Sequence, residues 1–237
     1  MTQIISYIIV IVLSTLSTIS SIAQKTKNYA VNAIQTDQLI INGLGDNPLW
    51  QKAEILADFI YPWNEGSPPA MSFQGLHDQD YLYGLYKVID PKKILIFQNT
   101  NHKKEVLASD RVEIFFRKND KMDPYYGLEM DPLTRIYDYR ARYQRKFRQE
   151  WSWPEGEVTV KATINDTGYI LEFAISKKSL RTFDLIKNNK IEAGLYRGEC
   201  VQLEGDKAEF KWISWVKPDS ETPNFHIPSS FGVLELK

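Results

Sequence analysis

The sequence predicts an all-β fold, an antiparallel β-sandwich of jelly-roll or immunoglobulin-like type with short helical connections, and three observations lead there. Runs with a two-residue period recur along most of the chain. Clusters of turn formers separate them, among them Asn165-Asp166-Thr167-Gly168 and Glu204-Gly205-Asp206. Helical patterns are confined to two short stretches, PLWQKAEI and KKSLRTF. Together these favour about ten strands in two packed sheets. A closed barrel is the other architecture with the same pattern.

In chain order, the first feature is IISYIIVIVL from Ile4 to Leu13, followed by STLSTISSIA with small residues at Ser21 and Ala23. An apolar run ending in small residues is the pattern of a secretory signal peptide. Residues 1–23 are therefore expected to be cleaved before Gln24, and 24–237 to form a single domain. The product would be exported to the periplasm, the cell surface or the medium. The same stretch is long enough, at about 20 residues, to remain as an anchor. Its many hydroxyls favour cleavage, which leaves no stable membrane span.

Among the strands, DYLYGLYKVID places apolar groups on both faces, as an inner sandwich strand requires. RVEIFFRK, YYGLEMD, EVTVKATI, GYILEFAI, KIEAGLYRGECVQL, EFKWISWV and FGVLELK read the same way. The loop IYPWNEGSPPAM sets Trp63 among Pro62, Gly66, Pro68 and Pro69, on a stiffened irregular segment where an exposed indole is a binding cue.

Lys+Arg number 29 against Asp+Glu 30, a net charge of -1, so no global field favours a polyanion. Positive charge is local, in RIYDYRARYQRKFRQEWSWP from Arg135 to Pro154. There Tyr137, Tyr139, Ala141, Tyr143, Phe147, Trp151 and Trp153 fall on odd numbers, and most charges fall on even ones. That is a strand period, with interruptions expected around Arg145 and Gln149. It disfavours the basic helix of a nucleic-acid reader or a membrane-surface peptide. Trp faces and planar Arg donors suit the C–H face and vicinal hydroxyls of a sugar. Arg140, Arg142, Trp151 and Trp153 are thus ligand-binding candidates; the competing reading has the tryptophans in the core and the arginines paired with nearby acids.

YYGLEMD puts Glu129 and Asp131 on one strand face about 7 Å apart. Neighbours on one strand point in parallel, whereas glycosidase carboxyls flank the scissile bond. These two are expected to bond sugar hydroxyls, to pair with Arg140 or Arg142, or to bind calcium. Asp110 and Glu113 lie on opposite faces of their strand. Cys200 is the single cysteine, so no internal disulfide forms, and the scattered His77, His102 and His226 suggest no zinc site.

Several of these segments, in order LIINGLGDNPLWQKAE, DYLYGLYKV, ASDRVEIFF, YYGLEMDP, GYILEFAISKKSL and FHIPSSFGVLEL, resemble the family 9 carbohydrate-binding modules and their stand-alone exported relatives. The resemblance spans Gln38 to Lys237. It implies a sandwich related to the DOMON domains, sugar held between two aromatic rings, and structural calcium in some members. Trp63 matches one wall, and Trp151, Trp153 and Trp215 compete for the other. His226 would be a hydrogen-bonding residue at the rim. The expected role is that of a non-catalytic monomer that binds oligo- or polysaccharide and serves polysaccharide breakdown. The alternatives are a glycoside hydrolase-associated enzyme using Glu129 and Asp131, and a haem domain of the same superfamily with Met71, Met122, Met130 or the histidines as axial ligands.

Overall fold

The computed structural model describes residues 26–90, 92, 94–100 and 102–237. The expected signal peptide lies outside them. The strands are β1 (Asn28–Ala33), β2 (Ala70–His77), β3 (Tyr81–Ile89), β4 (Arg111–Arg117), β5 (Tyr125–Met130) and β6 (Ile136–Arg142). They continue with β7 (Lys146–Arg148), β8 (Val158–Asn165), β9 (Gly168–Ser176), β10 (Lys190–Glu204), β11 (Lys207–Ser214) and β12 (Gly232–Leu236). A single α-helical turn and a half, α1 (Lys177–Thr182), is capped by the Ser176 hydroxyl, and PLWQK forms a 3-10 turn at Pro48–Lys52.

One layer runs β7-β6-β5-β4-β10-β12-β1, with β11 also paired to β10, and the other runs β1-β2-β3-β9-β8. The predicted sandwich is therefore present. It is antiparallel except at β1, whose Asn28–Val31 part pairs in parallel with β12 before Asn32 and Ala33 pair in parallel with β2. One strand thus stitches the two layers together.

Alternation decides which side chains meet between the layers. Val112, Ile114 and Phe116 of β4 and Leu128 and Met130 of β5 face Phe73, Tyr86, Leu171 and Phe173 of the opposite sheet. Burying each such side chain stabilises the fold by about 1.5–3 kcal/mol. The outer face of β3, with Tyr83 and Leu85, is covered by Ile34, Leu39 and Trp50 from the segment before β2. That second layer explains why DYLYGLYKVID is apolar on both faces.

The inter-sheet space also holds charge. Arg197 of β10, with no solvent exposure, donates from Nη2 to Asp110 Oδ2 and Asp90 Oδ2, each at 2.8 Å. Tyr169 of β9 donates to the other Asp110 oxygen at 2.9 Å. Asp90 follows β3 and Tyr169 sits in β9, so the cluster ties one sheet to the other.

The aromatic and basic stretch is extended, as its period predicts. Tyr137, Tyr139 and Ala141 face outward from β6 and Phe147 continues the row on β7, with turns at 143–145 and 149–150 where the pattern breaks. The chain then turns back into the core. Trp153 is 6 % exposed, donates from Nε1 to Ser179 Oγ at 2.8 Å, and packs among Phe116, Tyr126 and Phe183. Replacing Trp153 by alanine is expected to cost about 3–5 kcal/mol of unfolding free energy. Urea denaturation measures this, and an unchanged midpoint would contradict the core placement.

Candidate functional site

The outer face of the β6-β5-β4-β10-β11 sheet is aromatic and charged rather than simply polar. Arg111, Glu113 and Phe115 of β4 point to it, since their even-numbered neighbours point to the core. Register then assembles the neighbours: Glu113 lies opposite Glu129 on one side and Tyr196 on the other, and Arg111 lies opposite Gly198, which is opposite Trp212. Phe115 is flanked in register by Gly127 and Gly194. A Cβ on Gly194 would sit 1.8 Å from the Tyr196 hydroxyl and one on Gly127 2.2 Å from Tyr139 Cζ. Those glycines leave room for both tyrosine rings to fold inward and meet Phe115 edge-on at 5.0 and 5.9 Å.

The loop between β11 and β12 lies over this floor. Phe225 stacks on Tyr196 with centroids 4.1 Å apart, and His226 stacks on Phe115 at 5.3 Å. Trp63 packs against Phe225 at 5.2 Å and donates from Nε1 to the Ser220 carbonyl at 2.7 Å. Trp212 meets Phe225 edge-on at 5.7 Å. A pocket of about 220 Å³ remains, whose lining includes Trp63, Trp212, Arg111, Glu113, Glu129 and Arg145. It falls below the roughly 300 Å³ at which pockets begin to engulf drug-sized ligands, and so suits one small ring. A larger cleft of about 490 Å³, beside Phe59, Tyr61, Pro68 and Met71, has no such convergence of charged groups.

The electrostatics of the floor follow from burial. Arg111 Nε is 2.6 Å from Glu129 Oε2 and 3.0 Å from Glu113 Oε1, and its guanidinium lies 4.9 and 5.4 Å from the Phe210 and Trp212 rings. Burial, and next the charge of Glu129, push the Glu113 carboxyl up to about 8 against the pull of Arg111. Burial also raises Glu129. The two carboxyls therefore hold a proton between them at neutral pH and can both donate and accept hydrogen bonds. Glu113 Oε1, close to Arg111 but out of line for a hydrogen bond, has no hydrogen-bond partner, so hydrogen-bonding capacity is left at the floor. Burial, and then the nearby Arg145, depress His226 to about 3, which keeps its ring neutral where Nδ1 meets the Tyr125 hydroxyl at 3.0 Å.

Of the residues singled out in the sequence, Trp63, Glu129 and His226 come together in this pocket. Asp131 does not: it lies just past β5, fully buried, and is held by Arg135 Nε at 2.7 Å and by the Leu133 and Arg135 amides. The expected pairing of acids with arginine occurs, but with Arg111 and Arg135 in place of Arg140 and Arg142. Arg140 and Arg142 alternate with Tyr139 and Ala141 and so leave β6 on its other side, where Arg142 meets Asp123 at 3.0 Å. Trp151 packs on Tyr126 at 5.1 Å, Trp153 is a core ring, and Trp215 is 1 % exposed beneath Gly232. None of the three reaches the pocket.

Trp212, Arg111, Glu113 and Arg145 were not singled out. The signal for Arg111 and Glu113 was their shared parity in SDRVEIFF, one residue off the Asp110–Glu113 comparison. Trp212 sits three residues before Trp215 in EFKWISWV, so the alternation of β11 and its continuation sets them on opposite sides, but choosing between them requires knowing which side is buried.

Met71 and Met130 pack between the sheets and Met122 packs in the outer aromatic cluster, while His102 caps a 3-10 turn and His77 bonds the Lys237 carbonyl. Among the described residues no group of three or more His, Cys, Asp or Glu is arranged to hold a metal ion, and no helix is long and apolar enough to cross a membrane. The clustered acids Asp90 with Asp110 and Glu105 with Asp131 are taken by Arg197 and Arg135, an arrangement that does not fit calcium.

Residues 41–237 match the family model described as carbohydrate family 9 binding domain-like. A candidate carbohydrate-binding protein from Bacteroides uniformis ATCC 8492 superposes with a TM-score of 0.67 at 17% identity, covering 90% of this chain and 100% of that one. A family 9 carbohydrate-binding module from Caldicellulosiruptor kristjanssonii in complex with cellotriose gives a TM-score of 0.55 at 21% identity, over 89% of this chain and 94% of that one. The same kind of module from that organism in complex with glucose gives 0.53 at 21% identity, over 89% and 96%. A search of curated proteins returns no match.

The raised Glu113 carboxyl makes a directional prediction. A group with a raised folded-state value stabilises the fold below its ordinary value and loses that contribution as pH climbs through the raised one. Stability should therefore fall between about pH 4.5 and 8 by an amount that Glu113→Gln removes. Thermal melts of both proteins across that range provide the check. Parallel profiles would show that Glu113 does not hold the proton.

Proposed function

The chain belongs to the carbohydrate family 9 binding domain-like proteins, and on that premise we propose that its outer-face pocket binds the terminal ring of a saccharide without cleaving it. One observation carries the reading: Trp63 and Trp212 line a pocket floored by Arg111, Glu113 and Glu129. Indole faces suit the apolar C–H face of a sugar, and a protonated carboxyl beside an ionised one bonds hydroxyls in both directions. Charge-assisted bonds of this kind are the strong ones, and the aromatic walls exclude the water that would weaken them.

Cleavage fits poorly. Glu113 and Glu129 stand side by side on adjacent strands and share one guanidinium, so both approach a ligand from the same side, whereas a glycosidase pair flanks the bond. Asp131, the other acid of the enzymatic alternative, is spent on Arg135. The apolar leader from Ile4 to Leu13 supports export to the periplasm or beyond. There a monomeric sugar-binding protein would serve polysaccharide breakdown.

Isothermal titration with glucose, cello-oligosaccharides and a wider glycan set tests the reading. Trp63→Ala and Trp212→Ala should each weaken the best ligand on the order of 30-fold, the loss of a roughly 2 kcal/mol hot spot. Absence of binding by well-folded protein across the set would overturn it, and glycoside turnover lost in Glu113→Gln would restore the enzyme.

A further inference from the structure

The pocket has a charged lip as well as a charged floor. Between Asp138 and Glu150 the chain carries Arg140, Arg142, Arg145, Lys146 and Arg148 and no acidic residue. β6 and β7 pair as a hairpin with Arg142 opposite Lys146, and its turn brings Arg145 to the pocket lining. Gln144 and Arg145 both take left-handed backbone conformations, at φ 65° and 56°, without glycine's freedom. Strain of that kind persists where surrounding contacts hold it. The contacts are Arg145 Nη2 to the Pro223 carbonyl at 3.2 Å and to Asn224 Oδ1 at 3.3 Å, on the loop that carries His226.

Both acceptors are neutral. Among the described residues Arg145 enters no ion pair, in contrast to Arg111, Arg135, Arg142 and Arg197. Its charge is nevertheless felt in the pocket: after burial it adds to the lowering of His226, and it partly offsets the burial that raises Tyr125. On the floor, Arg111 is already matched by Glu129. Of the two cations among the described residues that line the pocket, the one without an acidic partner thus stands at the mouth, on an exposed side chain whose planar fork suits a carboxylate.

Resting on the saccharide reading above, we infer that the pocket selects an acidic sugar, a uronic acid whose ring lies on the aromatic floor and whose carboxylate meets Arg145 at the lip. The floor groups then bond the ring hydroxyls. A neutral hexose would leave Arg145 unmatched.

The test uses sugar pairs that differ only at C6, glucuronic acid against glucose and galacturonic acid against galactose, titrated into the full chain at low and high salt. At least one uronic acid should bind roughly tenfold or more tighter than its parent, the usual worth of a charged hydrogen bond, and added salt should shrink the difference. Arg145→Gln should remove about tenfold more of the acid's affinity than of the neutral sugar's, whose binding it also touches through the Pro223 and Asn224 contacts, while Arg145→Lys keeps part of the preference. Equal or tighter binding of both neutral parents, or an Arg145→Gln effect that is the same on acid and neutral sugars, would overturn the inference and leave saccharide binding standing. Failure of every sugar to bind would remove both. Circular dichroism of the variants establishes that the exposed substitution leaves the fold intact.

Discussion

The structure turns on a buried arginine at each face of one strand. Asp110 faces inward immediately before β4 and meets Arg197, which also reaches Asp90 just after β3 in the other sheet. The next residue, Arg111, faces outward and sits between Glu113 and Glu129. Leaving one member of a buried ion pair without its partner costs about 3–5 kcal/mol, so loss of either arginine would leave buried acids unmatched at that cost. The relative position of the two sheets and the floor of the pocket are thus set by consecutive residues. The site cannot shift without straining the joint between the layers.

Above that floor the construction is aromatic, and it depends on missing side chains. Gly127 and Gly194 let two tyrosines fold onto Phe115, and the flattened surface accepts Phe225 and His226 as a second tier. Trp63 and Trp212 both lean on Phe225, and Trp63 is tethered to the same loop through Ser220. The walls are consequently set before any ligand arrives, which lowers the ordering cost of binding.

The sandwich was legible in the sequence because alternation is a local property. Eight apolar runs became strands, the basic stretch proved extended, and its breaks fell at the turns. β1 and β2 were not read as strands, and the parallel stitching by β1 depends on a layer change that no periodicity records. The candidate pocket was legible only in part. Trp63 announced itself by its proline-rich loop and Glu129 by its strand, but Asp131, one step past the register, and Trp153, a few residues past a turn, have the same local signature and different surroundings. Choosing Trp212 over Trp215, or Arg111 over Arg140, requires knowing that the sheet is covered on both sides. Burial of that kind is decided by the loops that fold back.

The β6–β7 hairpin differs from the rest of the site in what it depends on. β7 has three residues, all exposed, and among the described residues it pairs with β6 alone. Its tip reaches the pocket without contributing to the inter-sheet core. Substitutions or insertions at that tip change what the pocket meets at its mouth and leave the two ion clusters untouched, while Phe147 keeps its edge-on contacts with Tyr139 and His226. On the reading proposed above, a change in this short surface appendage would therefore alter ligand preference in this chain while the receptor beneath it stays the same.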